Sequence, residues 1–226
     1  MSEESNVVYY GESLSWGETW VKALTQPSEE SYHEIANDPG ASSRKAYSWV
    51  FISSLIGYVL YTLISLFIGR NIIGPGEDGV LGASIAALLC GAPLGALFAV
   101  LGMMLSVGIS QWIAYALDGT GTYSQLIYTV AAYVAPLSLI SSLLSVIPYL
   151  NCMAIPLLFY GVFLNVTAVK AVNRFGWGKA IISSVLILFL LTAIVAVILI
   201  VVLTLLGPAI GNVFSDIISE LGTPVP

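Results

Sequence analysis

Between Asp118 and Lys170 the chain carries no acidic or basic side chain, and two apolar runs fill that interval on either side of Ile147-Pro148-Tyr149-Leu150-Asn151. Each run is about 20 residues or slightly longer, the length a helix needs to cross a hydrocarbon layer of about 30 Å at roughly 1.5 Å per residue. In lipid a backbone amide has no water to bond to, so an apolar run of this length folds as a helix and not as an open strand. The turn Asp118-Gly119-Thr120-Gly121-Thr122 leads into the first run, and the stretch as far as Lys179 reads as a membrane-spanning helical hairpin. What packs against that hairpin decides the fold.

The rest of the chain has the same character. Of its 226 residues 58% are hydrophobic and 9% charged, where soluble domains carry about a quarter charged residues. The chain is therefore expected to be an all-α polytopic membrane protein. Residues 1–45 form an acidic cytoplasmic arm, 46–206 a domain of five transmembrane helices, and 207–226 an amphipathic tail. The net charge of -6 comes mainly from the arm, from Glu3 and Glu4 through Glu29, Glu30 and Glu34 to Asp38, which excludes nucleic acid as a partner. Residues 1–10 lack the basic start and short apolar core of a cleavable leader, so the first span is expected to act as its own insertion signal.

Within the arm, Trp16, Trp20, Ala23 and Leu24 recur at helical spacing until Pro27, with Glu18 and Lys22 on another side. Tryptophan favours the headgroup level, so this helix either lies in the interface or packs on the protein's own spans. Ser28 is placed to cap a second short helix that runs through Tyr32 and Ile35 to Asp38-Pro39-Gly40.

The first span, 46–69, puts Ser54, Tyr58, Tyr61 and Ser65 on one face, a pattern that serves hydrogen bonding to neighbouring helices better than a hydrated path. From Val80 to Leu117 no charge appears, too long for one span and too short for two with a turn. The break is expected at Gly91-Ala92-Pro93, with a short re-entrant or interfacial helix at 81–90 and the second span at 92–116. Gly91, Gly95, Ala99, Gly102, Ser106 and Ser110 form a stripe of small residues along that span, which lets helix backbones approach and predicts a central position.

The third span, 123–147, begins with Gln125 and Tyr128 as candidate polar contacts and holds Pro136 at mid-depth, where a missing amide predicts a kink like the one expected at Pro93. The fourth, 152–172, carries Asn165 as an interhelical hydrogen-bonding group. The fifth, 180–206, is rich in Ile, Val and Leu on every side and is expected to be peripheral. After Gly207-Pro208 an amphipathic helix is expected on the exit surface, with Asp216 and Glu220 opposite its apolar residues. With the N-terminus inside, Lys22, Arg44, Lys45, Lys170, Arg174 and Lys179 are cytoplasmic and Arg70 alone is outside, as the positive-inside rule asks.

Trp20-Val21-Lys22-Ala23-Leu24-Thr25-Gln26-Pro27, Tyr32-His33-Glu34-Ile35, Gly119-Thr120-Gly121-Thr122-Tyr123, Pro136 and Ile147-Pro148 together resemble the Yip domain family, over roughly 16–206. The resemblance implies five spans with a cytoplasmic N-terminus and no catalytic residues. Eukaryotic members bind Rab-type GTPases in vesicle traffic. Here the arm is short and lacks their Asp-Leu-Tyr-Gly-Pro type motif, which counts against GTPase binding and makes the chain similar to prokaryotic members of the cytoplasmic membrane.

The chemistry-bearing residues are few. His33 has no metal-binding partner at helical spacing, Cys90 and Cys152 form no ligand pair, and Gly119 and Gly121 lack the Lys-Ser/Thr of a phosphate loop, so no metal and no cofactor is expected. No ionisable residue is placed at the hydrocarbon centre, which lowers the weight of ion-coupled pumps and intramembrane hydrolases. Two functions remain: a non-enzymatic scaffold that organises lipids, other membrane proteins or copies of itself, and a transporter or channel for a neutral or apolar solute.

Overall fold

Side-chain caps fix where the short helices start. The Ser15 hydroxyl accepts the Glu18 amide while the Glu18 carboxylate accepts the Ser15 amide, a reciprocal cap that begins α1, Trp16–Thr25. The Ser15 hydroxyl also donates to Glu18 Oε2 at 2.7 Å, and that bond first, with the Ser15 amide second, holds the Glu18 carboxyl below its ordinary value. The cap's contribution is thus present above the ordinary carboxylate pKa and lost as pH falls through the lowered one. Ser28 Oγ accepts the Ser31 amide at 3.1 Å and begins α2, Glu29–Ala36. The computed structural model describes residues 13–73, 85–147 and 150–221, and every described element is helical.

The longer helices are α3, Ser43–Ile73; α4, Ala92–Ala116, entered through a π-helical turn Ala87–Gly91; α5, Tyr123–Val146; α6, Ala154–Asn173, after a 3-10 turn Asn151–Met153; and α7, Trp177–Leu221. All five are long and apolar enough to cross a membrane, as the sequence predicts. The chain divides into a unit ending at Ser184 and a second from Val185 onward. The second is a helix whose described side chains are almost all exposed.

In the first unit the centre is α5. It packs against α1, α2, α3, α4 and α6, and 56% of its apolar stretch is buried, against 22% for α4. The expectation of a central second span is corrected here. Small residues permit close approach, but centrality depends on how many faces are covered, and α4 covers only Ala92, Ala96, Val100, Met103, Val107 and the residues near its end. A close crossing joins α3 to α5 instead: a Cβ on Gly57 would stand 2.5 Å from Ser142 Oγ, and Ser138 Oγ donates to Ser53 Oγ at 3.3 Å.

Two expected breaks are absent. Ile85 to Cys90 runs into α4 without interruption, while residues 81–84 lie outside the described residues. A π-helical turn is wider than an α turn and precedes Pro93, so the helix passes the proline and loses only the one bond its missing amide cannot make. Likewise α7 passes through Gly207-Pro208, so the tail expected as a separate helix is the end of a 45-residue one. An internal proline removes one hydrogen bond and need not end a helix that both flanks favour.

Candidate functional site

The arm is fixed to the end of the spans by aromatic side chains. Trp49 of α3 is fully buried, with Trp16 and Trp20 of α1 edge-on at 5.8 and 6.1 Å between ring centroids and Tyr128 of α5 tilted against it at 4.9 Å. Of the two readings open for α1, packing on the protein's own spans is the one observed. Tyr32 of α2, fully buried, meets Tyr133 edge-on at 6.4 Å and donates its hydroxyl to the Ala23 carbonyl at 2.9 Å. Burial, with Tyr133 and Tyr160 beside it, pushes the Tyr32 phenol far up, so it stays a neutral donor. Tyr160 of α6 donates to the Leu24 carbonyl, and Gln125 Nε2 to Asn37 Oδ1 at 3.1 Å.

Charge adds a second tie. Lys170 is buried near the end of α6, pairs with Glu29 of α2, and has its ammonium 4.7 Å from the centroid of the Trp177 ring. Glu29→Gln is expected to cost about 1 kcal/mol, less than for a fully buried pair because the Glu29 side chain is half open to water. Thermal unfolding measures the loss, and faster tryptic cleavage at Lys22 is expected to accompany it.

Behind the arm the 118–122 turn is bolted to the end of α6. Gln111 Nε2 donates to the Gly121 carbonyl at 2.6 Å and to Asn173 Oδ1 at 3.2 Å, the Gly119 amide donates to Ala114 O at 2.8 Å, and Lys179 Nζ donates to Leu117 O at 2.8 Å. Gly119 and Gly121 are there because a Cβ on either would fall within 3 Å of backbone: 2.8 Å from the Ala114 carbonyl, and 2.6 Å from that of Val172. Gln111 and Asn173 did not stand out in the sequence. Their signal is that each is a buried amide side chain at the end of an otherwise apolar run.

Arg174 closes α6 in the left-handed region, φ 55 and ψ 39, a backbone that costs a non-glycine residue roughly 1–2 kcal/mol. It lines two adjoining clefts between arm and spans. The larger, about 510 Å³, is bounded by Glu29, Glu30, His33, Ala171 and Arg174. The smaller, about 250 Å³, shares His33 and Arg174 and adds Asn37, Thr120 and Gln125. Expected as a plain surface residue, His33 is half-buried at the junction of the two.

The other residues singled out from sequence are scattered. Tyr58 and Tyr61 are exposed whereas Tyr128 is buried, so the three do not line one space. Ser54 is buried, and Asn165 accepts from Tyr133 Oη at 3.1 Å. Gly95 meets the Tyr58 ring, 2.7 Å from where its Cβ would be, while among the described residues a Cβ on Gly102 would meet nothing within 4 Å and one on Gly91 would meet Ala87 at 3.8 Å. Ala99 and Ser106 are half-buried, and Pro136 is buried within α5. Cys90 and Cys152 are exposed, at the ends of α4 and α6 opposite the arm. Among the described residues no group of three His, Cys, Asp or Glu could hold a metal.

Comparison with curated proteins and with solved structures finds no match. A family model does match: the Yip1 domain, over residues 21–200, which takes in α2, the Trp49 cluster's span partners, the 118–122 turn and the end of α6. The clefts, the bolted turn and the spans beneath them all lie inside that interval, and the chain belongs to the Yip1 domain family.

Proposed function

We infer that this chain is a non-enzymatic membrane scaffold of prokaryotic type, which organises lipids, other membrane proteins or copies of itself through its arm face. The carrying observation is where the polar groups of the spans are used. Ser53 with Ser138, and Tyr133 with Asn165, bond each other across helices, which holds the bundle together and leaves those groups unavailable to a passing solute. The polar, open surface is on the arm face instead. Proteoliposomes carrying the chain are expected to be no more permeable to small neutral solutes than empty liposomes. Solute flux that Pro136→Ala abolishes would overturn this reading in favour of a carrier.

The arm face is cytoplasmic in this reading, since Lys22, Lys170, Arg174 and Lys179 gather there. An impermeant maleimide is expected to label the exposed Cys90 and Cys152 on intact cells. Labelling confined to permeabilised cells would invert the orientation.

A further inference from the structure

Arg174 and Glu30 line the same cleft with opposite charges, yet neither is in an ion pair among the described residues. The neighbouring Glu29 is already engaged by Lys170. On the other side of Arg174 the smaller cleft has His33 and Thr120 on its walls, side chains that can donate to a phosphate oxygen, beside the Asn37 and Gln125 amides that already bond each other, and no carboxylate. The pair of clefts is therefore polar in a definite sense: an anion end around Arg174 and a cation end at Glu30.

Its depth in the membrane is set by the helices that flank it. α5 starts at Tyr123 and α6 stops at Asn173, so the clefts stand where hydrocarbon gives way to headgroups, and Tyr47 and Tyr123 touch hydroxyls at 3.3 Å at the same level. We propose that the joined clefts bind the zwitterionic headgroup of phosphatidylethanolamine, with the phosphate at Arg174 and the primary ammonium at Glu30. Basic pockets at helix ends are suited to lipid phosphates, and a carboxylate beside one selects an ammonium that keeps its N–H donors. A methylated ammonium has no such donors, and a glycerol headgroup has no charge to place at Glu30. The left-handed backbone supports the assignment, because the residue with least strain there is glycine and the chain has an arginine.

The proposal rests on the arm face being the binding surface, and its test separates the two. The full chain, purified in mild detergent, is offered equal amounts of phosphatidylethanolamine, phosphatidylglycerol and phosphatidylcholine with identical acyl chains, and bound lipid is read by native mass spectrometry. Phosphatidylethanolamine is expected to be retained about tenfold over either competitor. Arg174→Gly removes the guanidinium while relaxing the backbone, so it is expected to abolish that retention with the melting temperature unchanged or raised. Arg174→Gln is the second variant if glycine loosens the helix end. Glu30→Gln is expected to erase the preference over both phosphatidylglycerol and phosphatidylcholine while leaving retention through the phosphate at Arg174. Equal retention of the three lipids, or retention undiminished in both Arg174 variants, overturns the proposal, and so does displacement by soluble glycerophosphoethanolamine at the lipid's own affinity, which would assign the site to a free solute. A defined protein partner that still binds Arg174→Gly would leave the scaffold reading standing without the lipid site.

Discussion

Trp49→Ala is expected to cost about 3–5 kcal/mol and to release α1 from the bundle. The indole is fully buried and has ring contacts with Trp16, Trp20 and Tyr128, so its removal empties the joint between arm and spans from the centre. Surrounding helices are held by their own crossings and cannot collapse into the space, which places the loss high in the range for large-to-small changes. Trp49→Phe keeps an aromatic face and is expected to recover part of the loss. Circular dichroism melts in detergent give the stability, and trypsin at Lys22 reports the release of α1. A loss below about 1 kcal/mol with unchanged cleavage would show that Glu29, Tyr160 and Gln125 suffice to keep the arm in place.

Gly121→Ala is expected to lose about 3 kcal/mol, the upper end of the usual cost of overpacking. The added methyl would stand 2.5 Å from Val172 Cγ1 and 2.6 Å from the Val172 carbonyl oxygen, and the second of these is backbone that cannot rotate away. Moving the turn to relieve the clash would also stretch the 2.6 Å bond from Gln111 to the Gly121 carbonyl. Gly102→Ala is the matched control. Its Cβ meets nothing within 4 Å, and replacing a mid-helix glycine is expected to be neutral or to gain up to about 1 kcal/mol. Equal melting temperatures for the two variants would mean that the 118–122 turn is not pinned against α6.

The spans were legible because their signal is one of quantity: a charge-free apolar run of sufficient length has a single solution in lipid. Caps were legible at Ser28 for the same reason that they work, a hydroxyl one turn ahead of unsatisfied amides. Which helix sits in the middle was not. The stripe from Gly91 to Ser106 has the spacing of a contact face, but spacing cannot say whether a face meets a helix or lipid, and a Cβ on Gly102 meets nothing within 4 Å among the described residues. Gly57 against Ser142 carried a signal of the same kind, small residues at Ser53 and Gly57 four apart, diluted by large neighbours. The breaks expected at Pro93 and at Pro208 were read from residue preference alone, and continuous hydrogen bonding on both sides outweighed it. Of the candidate site, Gln125 and His33 could be seen as polar groups, but their meeting with Arg174 depends on α2 folding back over the end of α6, a long-range contact to which no local pattern points.

That fold-back has a consequence for how the protein is made. Glu29 and Leu24 leave the ribosome early, while their partners Lys170 and Tyr160 follow 141 and 136 residues later. Until α6 is inserted, the arm has only the part of its seat that α3 and α5 supply, and Glu29 and the Leu24 carbonyl wait without their partners. Contacts of such sequence separation form late and slowly. Within this chain the arm is thus made before the span that secures it, and during biogenesis a nascent chain without its fourth span holds the arm by α3 and α5 alone at a surface open to chaperones and proteases.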